Sequence, residues 1–422
     1  TPLAVSRQSI THTADGWVTI DRGVSFENLV VRVDVIGANT GGIRVQDFSY
    51  SREVLPDDQS LSFGIVAQDG DGDLSAPSTL DVQITAADSS DAFTLIGTAG
   101  DDVIAASSLT DSISGNTGFD IVDYGDATTA IAASLLSGTG TLGDALGDSY
   151  TGIEGLAGGA GDDVLTGNTL DNYLAGGAGS DTLVGGEGDD VLDGGIGADI
   201  LQGGIGDDVL IGGAGADALE GGSGMDVADY SADGVGITVD LESGAPGIGG
   251  LAAGDTYLDL EGVIGGSGDD LLAGDTQDNY LDGGLGDDVL SGGGGDDVLI
   301  GGLGDDSMTG GAGRDAFVWR AGDNGSDTIS DFHIDPAGVT SDVLDLSELL
   351  SGVDADSATL DNYLTFAFGN DTVISVSVTP GGAPVQDITL AGVDLADLYG
   401  TTNEAAVIDS LLADNALKVD NT

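Results

Sequence analysis

Carboxylates recur every nine residues along the middle of this chain. They occupy the sixth position of a Gly-Gly-x-Gly-x-Asp-x-Leu-x pattern, which fills three blocks at residues 97–123, 158–229 and 265–318. Fifteen of the seventeen sixth positions are Asp, and the other two are Asn. Ca²⁺ takes about six to eight oxygen ligands, mostly carboxylates and backbone carbonyls, whereas Mg²⁺ prefers small octahedral sites rich in water. The pattern therefore predicts rows of calcium sites.

The candidate ligands are the sixth-position acids and the first-position glycines, whose carbonyls are free to point at an ion. Aspartates stacked without a cation would repel each other, so we expect the ions to be part of the fold. Asn172 and Asn279 depart from the pattern, and the sequence leaves ligation there open. The candidate carboxylates are Asp102, Asp120, Asp163, Asp181, Asp190, Asp199, Asp208, Asp217, Asp226, Asp270, Asp288, Asp297, Asp306 and Asp315, and the candidate glycines are Gly158, Gly176, Gly185, Gly194, Gly203, Gly212, Gly283, Gly292 and Gly301.

The elements that must position these ligands follow from the rest of the repeat. The first six residues form a turn, where glycine adopts positive φ at low cost, and the last three form a strand. The eighth position is apolar in all seventeen repeats, so it faces inward. Strands this short bury little alone and must stack. We predict an all-β fold, a parallel β-roll with two nonapeptides per coil, in which each ion lies between repeat n and repeat n+2; the blocks then offer about 11 Ca²⁺ sites or more.

Composition supports metal as the stabilising partner. The 422 residues include no Cys, 74 acidic and 8 basic side chains, and the formal net charge is −66. No Lys or Arg lies between Arg52 and Arg314. This charge excludes nucleic acid as a partner and disfavours an anionic membrane surface. The alternative is a flexible Gly/Asp linker, but a hydrophobic content of 40% and the constant register argue against it.

The flanking regions read differently. Residues 1–90 carry alternating runs that predict an immunoglobulin-like β-sandwich, and Asp69, Asp71 and Asp73 form either a further calcium site or an acidic hairpin turn. After residue 318 the period stops, and residues 319–422 predict mixed β-structure and short helices, one of them capped by Asn403. The predicted domains are 1–90, a short repeat block at 91–123, an insert at 124–157, a roll at 158–229, an insert at 230–264, a roll at 265–318 and a C-terminal domain at 319–422.

The two inserts, residues 124–157 and 230–264, resemble each other. Tyr150-Thr-Gly-Ile-Glu-Gly in the first matches Tyr257-Leu-Asp-Leu-Glu-Gly in the second. The three repeat blocks also begin in the same way, because the second repeat of each block lacks the glycine at the fourth position of the nonapeptide. We expect the inserts to add strands that cap one roll and begin the next, since the ends of a solenoid must be covered.

The repeats resemble those of the RTX family of Gram-negative exoproteins. The resemblance implies that Asp181 shares ions with Asp163 and Asp199, and that Asp288 shares them with Asp270 and Asp306. Residues 315–346 resemble the C-terminal target domain of type I secretion substrates, and residues 60–88 resemble the closing hairpin of the immunoglobulin-like repeats in very large RTX adhesins. These likenesses imply an extracellular protein that is recognised by the type I secretion machinery, with attachment to the cell surface left open.

The sequence also bears on function directly. It contains two His, His12 and His333, no His-Glu-x-x-His motif and no Gly-x-Ser-x-Gly elbow, so we predict that the chain is not an enzyme. We see no signal peptide and no membrane-inserted segment, and a start at Thr1 predicts either a fragment of a longer protein or a processed product. The leading interpretation is a calcium-binding structural and export module at the C-terminal end of a secreted adhesin. The alternatives are a recognition module that binds a glycan or other surface ligand through residues 1–90 or 319–400, and the C-terminal part of an RTX hydrolase.

Overall fold

The computed structural model describes residues 93–335 and 340–419, together with seven short strands nearer the N-terminus. Those seven pair antiparallel where their partners are given, β1 with β4, β2 and β6 with β3, and β5 with β7. The immunoglobulin-like sandwich stays a prediction, and Asp69, Asp71, Asp73 and His12 lie outside the described residues. The seven strands are β1 (Asn28–Leu29), β2 (Val33–Asp34), β3 (Gly42–Val45), β4 (Tyr50–Ser51), β5 (Gln59–Ile65), β6 (Ala67–Gln68) and β7 (Ser78–Ile84).

The chain divides into two compact units, residues 1–123 with 138–153, and residues 124–137 with 154–422. From β8 onward strands of two to seven residues follow one another with few helices. Up to the second insert they are β8 (Phe93–Ile96), β9 (Val103–Ala105), β10 (Asp111–Ser114), β11 (Ile121–Asp123), β12 (Ala132–Ser134), β13 (Thr139–Leu142), β14 (Ser149–Thr151), β15 (Gly155–Ala157), β16 (Val164–Thr166), β17 (Tyr173–Ala178), β18 (Thr182–Glu187), β19 (Val191–Gly197), β20 (Ile200–Ile205), β21 (Val209–Gly215), β22 (Ala218–Ser223) and β23 (Val227–Asp229).

The remaining strands belong to the second insert, the third repeat block and the C-terminal region. Three α-helices lie near the C-terminus, α1 (Ser357–Leu360), α2 (Leu395–Tyr399) and α3 (Glu404–Ala413). The strands are β24 (Thr238–Asp240), β25 (Thr256–Leu258), β26 (Gly262–Ile264), β27 (Leu271–Ala273), β28 (Tyr280–Leu285), β29 (Val289–Gly294), β30 (Val298–Leu303), β31 (Ser307–Ala312), β32 (Ala316–Val318), β33 (Gly325–Ile329), β34 (Val343–Asp345), β35 (Leu364–Ala367), β36 (Thr372–Val376), β37 (Gln386–Leu390) and β38 (Leu417–Lys418).

The repeats form a parallel β-roll, as the sequence predicts. In the longest block β16, β18, β20 and β22 pair in parallel on one side, and β17, β19, β21 and β23 pair in parallel on the other. The register joins residues eighteen apart, such as Leu165 with Leu183 and Leu174 with Leu192. Two nonapeptides therefore make one coil, and equivalent positions of repeats n and n+2 lie directly side by side.

The core of the roll is the stack of eighth-position side chains. Leu174, Leu192 and Leu210 have no exposed surface, and the same holds for most of the other repeats. The exception is Ile104 in the first repeat, which is only partly buried. The turns pack as tightly as the core. Gly195, for example, has φ 94°, and a Cβ there would lie 2.2 Å from the carbonyl oxygen of Gly177 one coil earlier. No other residue fits this close backbone contact.

The second insert extends the roll as well as ending part of it. On one side β23, β26 and β28 pair in parallel without a break. On the other side β22 pairs with β25, whereas β24 pairs with β27 of the next block. The C-terminal region also continues the coil, because β33 pairs with β31 and β34 pairs with β32. The predicted cap of α3 is confirmed, since Oδ1 of Asn403 accepts the Ala406 N–H at 2.9 Å.

The leucine stack yields a prediction about stability. Leu192→Ala removes a fully buried side chain from the middle of the longest block, and we expect it to destabilise the calcium-loaded chain by roughly 2–5 kcal/mol, because the coils on both sides limit collapse into the cavity. Ile196→Ala is the control, since Ile196 is 66% exposed; its effect should stay within about 0.5 kcal/mol. Urea unfolding in excess calcium measures both values. Equal losses for the two variants would contradict the stacked core.

Candidate metal centre

The sixth-position side chains form an aspartate ladder along each side of the roll. In each rung the backbone N–H of one sixth-position residue donates to Oδ1 of the equivalent residue one coil later. Asp163 donates to Asp181 in this way at 2.7 Å, and Asp181 donates to Asp199 at 2.7 Å. The same bond, at 2.7–3.1 Å, reaches Oδ1 of Asp120, Asp190, Asp208, Asp217, Asp226, Asp288, Asp297, Asp306 and Asp315.

The second carboxylate oxygen has no such partner. In the body of the two longer blocks Oδ2 is buried and accepts no hydrogen bond from the described residues. The side chains themselves are at most 2% exposed. A buried carboxylate oxygen without a donor is costly, so a ligand is the simplest physical explanation for nine of them in register. The nine are Asp181, Asp190, Asp199, Asp208, Asp217, Asp226, Asp288, Asp297 and Asp306.

A backbone carbonyl faces the same space as most of these oxygens. A Cβ on Gly176 would lie 2.4 Å from Oδ2 of Asp181 and 2.7 Å from the carbonyl oxygen of Gly194. The space that the glycine leaves open is thus lined by one carboxylate and one carbonyl oxygen. The same pair surrounds Gly158, Gly185, Gly194, Gly283 and Gly292, and the ladder carboxylate alone is the near contact at Gly203, Gly212 and Gly301.

This donor set fits calcium. Nowhere in residues 93–335 and 340–419 do three His, Cys, Asp or Glu side chains converge on one point. The oxygens on offer are single carboxylates from successive coils together with glycine carbonyls, which a hard cation of high coordination number can use. A bound Ca²⁺ would supply positive charge between rungs, and the chain's own residues would hold it by these oxygens.

Burial dominates the electrostatics of the ladder. It raises the pKa of Asp190 to about 7, with further upward contributions from the neighbouring carboxylates and a downward one from the Asn172 N–H. The pKa of Asp199 is likewise raised by burial. Burial raises the pKa to about 7 at Asp208, Asp217, Asp288 and Asp315, and to about 6 at Asp181, Asp226, Asp297 and Asp306.

The first residue of each ladder differs from the body, which the sequence did not predict. Oδ2 of Asp163 accepts the Gly159 N–H of its own turn at 2.8 Å, and Oδ2 of Asp270 accepts the Gly266 N–H at 2.9 Å. Oδ2 of Asp102 accepts the Thr98 N–H in the same way. At these ladder starts the protein itself supplies the donor. The ligand role predicted for Asp102, Asp163 and Asp270 therefore has weaker structural support than that of the body residues.

The two asparagines stand at ladder starts as well, and the structure gives a physical reason for them. Oδ1 of Asn172 accepts the Asn168 N–H at 2.6 Å, while its Nδ2 donates to the carbonyl oxygen of Glu154 at 3.0 Å. Asn279 donates to the carbonyl oxygen of Glu261, also at 3.0 Å. An aspartate would place a negative oxygen against that carbonyl, whereas an amide satisfies both partners.

Sequence reasoning also missed a second row of aspartates at the fifth position. Oδ1 of Asp171 accepts the Asp189 N–H one coil later at 3.0 Å, and Oδ1 of Asp189 accepts the Asp207 N–H at 2.9 Å. These bonds run in the opposite direction to those of the ladder. The Asp-Asp pair at the fifth and sixth positions of many repeats was the signal in the sequence that could have revealed this row.

Comparison with known proteins supports the repeat. The model of the RTX calcium-binding nonapeptide repeat (four copies) matches residues 94–122, 151–169, 157–192, 166–201, 193–228, 264–299 and 282–317. No curated protein matches the chain. Among the solved structures that match is the extracellular lipase LipA from Serratia marcescens, at 19% identity and a TM-score of 0.23. That match covers 56% of this chain and 38% of the lipase chain, so the chain spans well under half of the lipase's length.

The prediction that the chain is not an enzyme is wrong as it stands. It rested on missing protease and esterase motifs, yet a protein named as an extracellular lipase is among the structures that match. Absent motifs in one stretch of sequence do not exclude catalysis, and a TM-score of 0.23 assigns no activity either.

Within the part of the chain that is described, no helix is long and apolar enough to cross a membrane.

The raised pKa values predict how pH acts on the calcium-free chain. An unfolded Asp has a pKa of about 3.9, so the folded ladder binds more protons than the unfolded chain between about pH 4 and pH 7. The ladder is therefore most favourable to folding in acid, and this contribution is lost as pH rises through about 6 to 7. We expect the metal-stripped chain to show more strand signal by circular dichroism at about pH 5 than at about pH 8.

The same protons compete with calcium. The calcium concentration at the folding midpoint should therefore be higher at the lower pH, since the ligands must lose protons to bind metal. A metal-free strand signal that is flat or rises with pH would contradict the buried ladder.

Proposed function

Because this chain is an RTX repeat protein, we propose that its repeat region is a calcium-triggered folding module in an exported protein. RTX repeats bind Ca²⁺, and the repeats extend from residue 94 to residue 317. The proposal is that the ladder aspartates and the first-position glycine carbonyls hold about 11 ions, counted as two fewer than the number of repeats in each block. The module then folds only where calcium is plentiful.

One observation carries this proposal, the set of nine buried carboxylate oxygens without a donor. Burying one ionised carboxylate costs several kcal/mol unless it is paired, and here neighbouring carboxylates also repel each other. The formal net charge of −66 adds repulsion over the whole chain. Without a cation the folded roll would carry all of these costs at once. Metal binding and folding are therefore one event, because the site does not exist in the unfolded chain.

The expected affinity ties folding to location. Extracellular calcium modules typically have dissociation constants of roughly 10⁻⁴–10⁻³ M, far above the calcium level inside a cell. We propose that the chain leaves the cell unfolded and folds outside. Residues 319–422, which resemble type I secretion target domains, would be the part that the secretion machinery recognises.

We also propose which kind of protein contains this repeat region. The sequence resemblance favours the C-terminal end of a secreted or cell-surface adhesin, in which the calcium-loaded roll holds other parts of the protein away from the export signal. A glycan or other surface ligand would then bind elsewhere in the protein, or through residues 1–90 or 319–400.

Chelation tests the coupling of metal and fold. We expect the full chain to lose most of its strand signal in excess EGTA at neutral pH and to regain it cooperatively when Ca²⁺ is added back, since the ladder needs a cation. Mg²⁺ at the same concentration is the control and should not restore the signal, because it does not favour these sites. Circular dichroism with X-ray scattering provides both readouts. A strand signal that survives EGTA would refute the proposal.

Export tests the C-terminal assignment. We expect a chain without residues 319–422 to remain in cells that carry a type I secretion system, whereas the full chain appears in the medium. Since β33 and β34 pair with strands of the roll, the truncated chain must also be purified and titrated with calcium. Retained binding with lost export supports the assignment. Normal export of the truncated chain would overturn it.

A further inference from the structure

The aspartate ladder continues beyond the repeats into residues that do not match the repeat pattern. The Asp217 N–H donates to Oδ1 of Asp255 in the second insert at 2.8 Å. In the C-terminal region the Asp306 N–H donates to Oδ1 of Asp327, and the Asp315 N–H donates to Oδ1 of Asp342, both at 3.1 Å. These steps span 38, 21 and 27 residues in place of 18. Each of these three rows thus ends on an aspartate that the nine-residue period does not reveal. The N–H groups of Asp111 and Asp226 likewise donate to carboxylates outside the repeats, to Oδ1 of Asp148 and Oε2 of Glu261.

The row ends Asp255, Asp327 and Asp342 differ from the body of the ladder in the partner of their second carboxylate oxygen. Their second oxygen has a protein donor. The Tyr230 hydroxyl donates to Oδ2 of Asp255 at 2.7 Å. Oδ2 of Asp327 receives the indole N–H of Trp319 and the amide of Gln386, each at 2.7 Å, and Oδ2 of Asp342 receives the His333 N–H at 2.7 Å. In the body the equivalent oxygen has no partner among the described residues.

The two side-chain donors are held firmly in place. Tyr230 and Trp319 are each 1% exposed, and the carboxylates of Asp255 and Asp327 have no exposed surface. The Tyr230 hydroxyl also lies 3.0 Å from the Tyr257 hydroxyl. Hydrogen bonds to an ionised carboxylate are about twice as strong as neutral ones. Each donor therefore stabilises the last carboxylate of its row without a metal.

From this regularity we propose that Tyr230 and Trp319 terminate the calcium rows. Each donor occupies the side of the carboxylate that faces a cation in the body, so the rows take no ion at Asp255 and Asp327. The donors set how many ions a row holds, and they let the insert and the C-terminal region close the roll with ordinary hydrogen bonds. This inference rests on the proposed calcium ladder, and the test separates the two.

The test is a count of calcium per full-length chain, by equilibrium dialysis with elemental analysis, for four single variants. Asp255→Asn keeps the shape of the row end and should leave the count unchanged, because Asp255 holds no ion. Asp208→Asn, its match in the body, should lower the count by at least one. Tyr230→Phe exposes Oδ2 of Asp255 to a cation and should raise the count by one. Tyr257→Phe is the control for loss of the neighbouring, partly buried hydroxyl, and its count should stay the same.

Each outcome decides a specific point. A lower count for Asp255→Asn makes Asp255 a ligand and overturns the inference. An unchanged count for Tyr230→Phe, with the strand signal of the calcium-loaded protein intact, also overturns it. If Tyr230→Phe does not fold, the comparison of Asp255→Asn with Asp208→Asn still decides. An unchanged count for Asp208→Asn would count against the calcium ladder itself, and so against the proposed function.

Discussion

The structure depends on one arrangement, a column of buried aspartate carboxylates that repeats once per coil. Each carboxylate uses one oxygen to bind the backbone of the neighbouring coil, which sets the register between coils. Among the described residues, none donates to the other oxygen in the body of the roll. The first bond stabilises the coil, and the second oxygen makes the coil unstable unless a cation is present. This is the physical basis of the proposed coupling between folding and calcium binding in this region.

The unusual composition follows from that column. In the two longer blocks the sixth-position side chain leaves no space for a Cβ at the first position, so glycine is required there. Three-residue strands bury only one side chain each, and the apolar eighth position supplies it in every repeat. The 74 acidic residues of the chain would repel one another strongly in a compact state. Calcium offsets this repulsion and provides stability that a chain without cysteine cannot obtain from disulfides.

At the ends of the columns, protein groups take the place that we propose for calcium in the body. At the ladder starts a backbone N–H of the same turn binds the side chain, and two of these positions are asparagines that also donate to a carbonyl. At the row ends a tyrosine, a tryptophan or a backbone N–H binds the carboxylate. In the two longer blocks, the ladder-start aspartates have a protein donor at Oδ2, and the nine body aspartates have instead the space for a cation, so the partner depends on position within the column.

The sequence alone determined the class of fold, the eighteen-residue coil, the inward leucines and the calcium chemistry, because all of these follow from a strict period that local residue types can express. It could not show why Asn172 and Asn279 suit the ladder starts, because each side-chain amide donates to a backbone carbonyl that belongs to another coil. Nor could it identify Asp255, Asp327 and Asp342 as row ends, because segments of unequal length separate them from the ladder residues to which they are hydrogen-bonded. Tertiary structure decided these points, since hydrogen bonds between coils depend on distance in space and not on spacing along the chain.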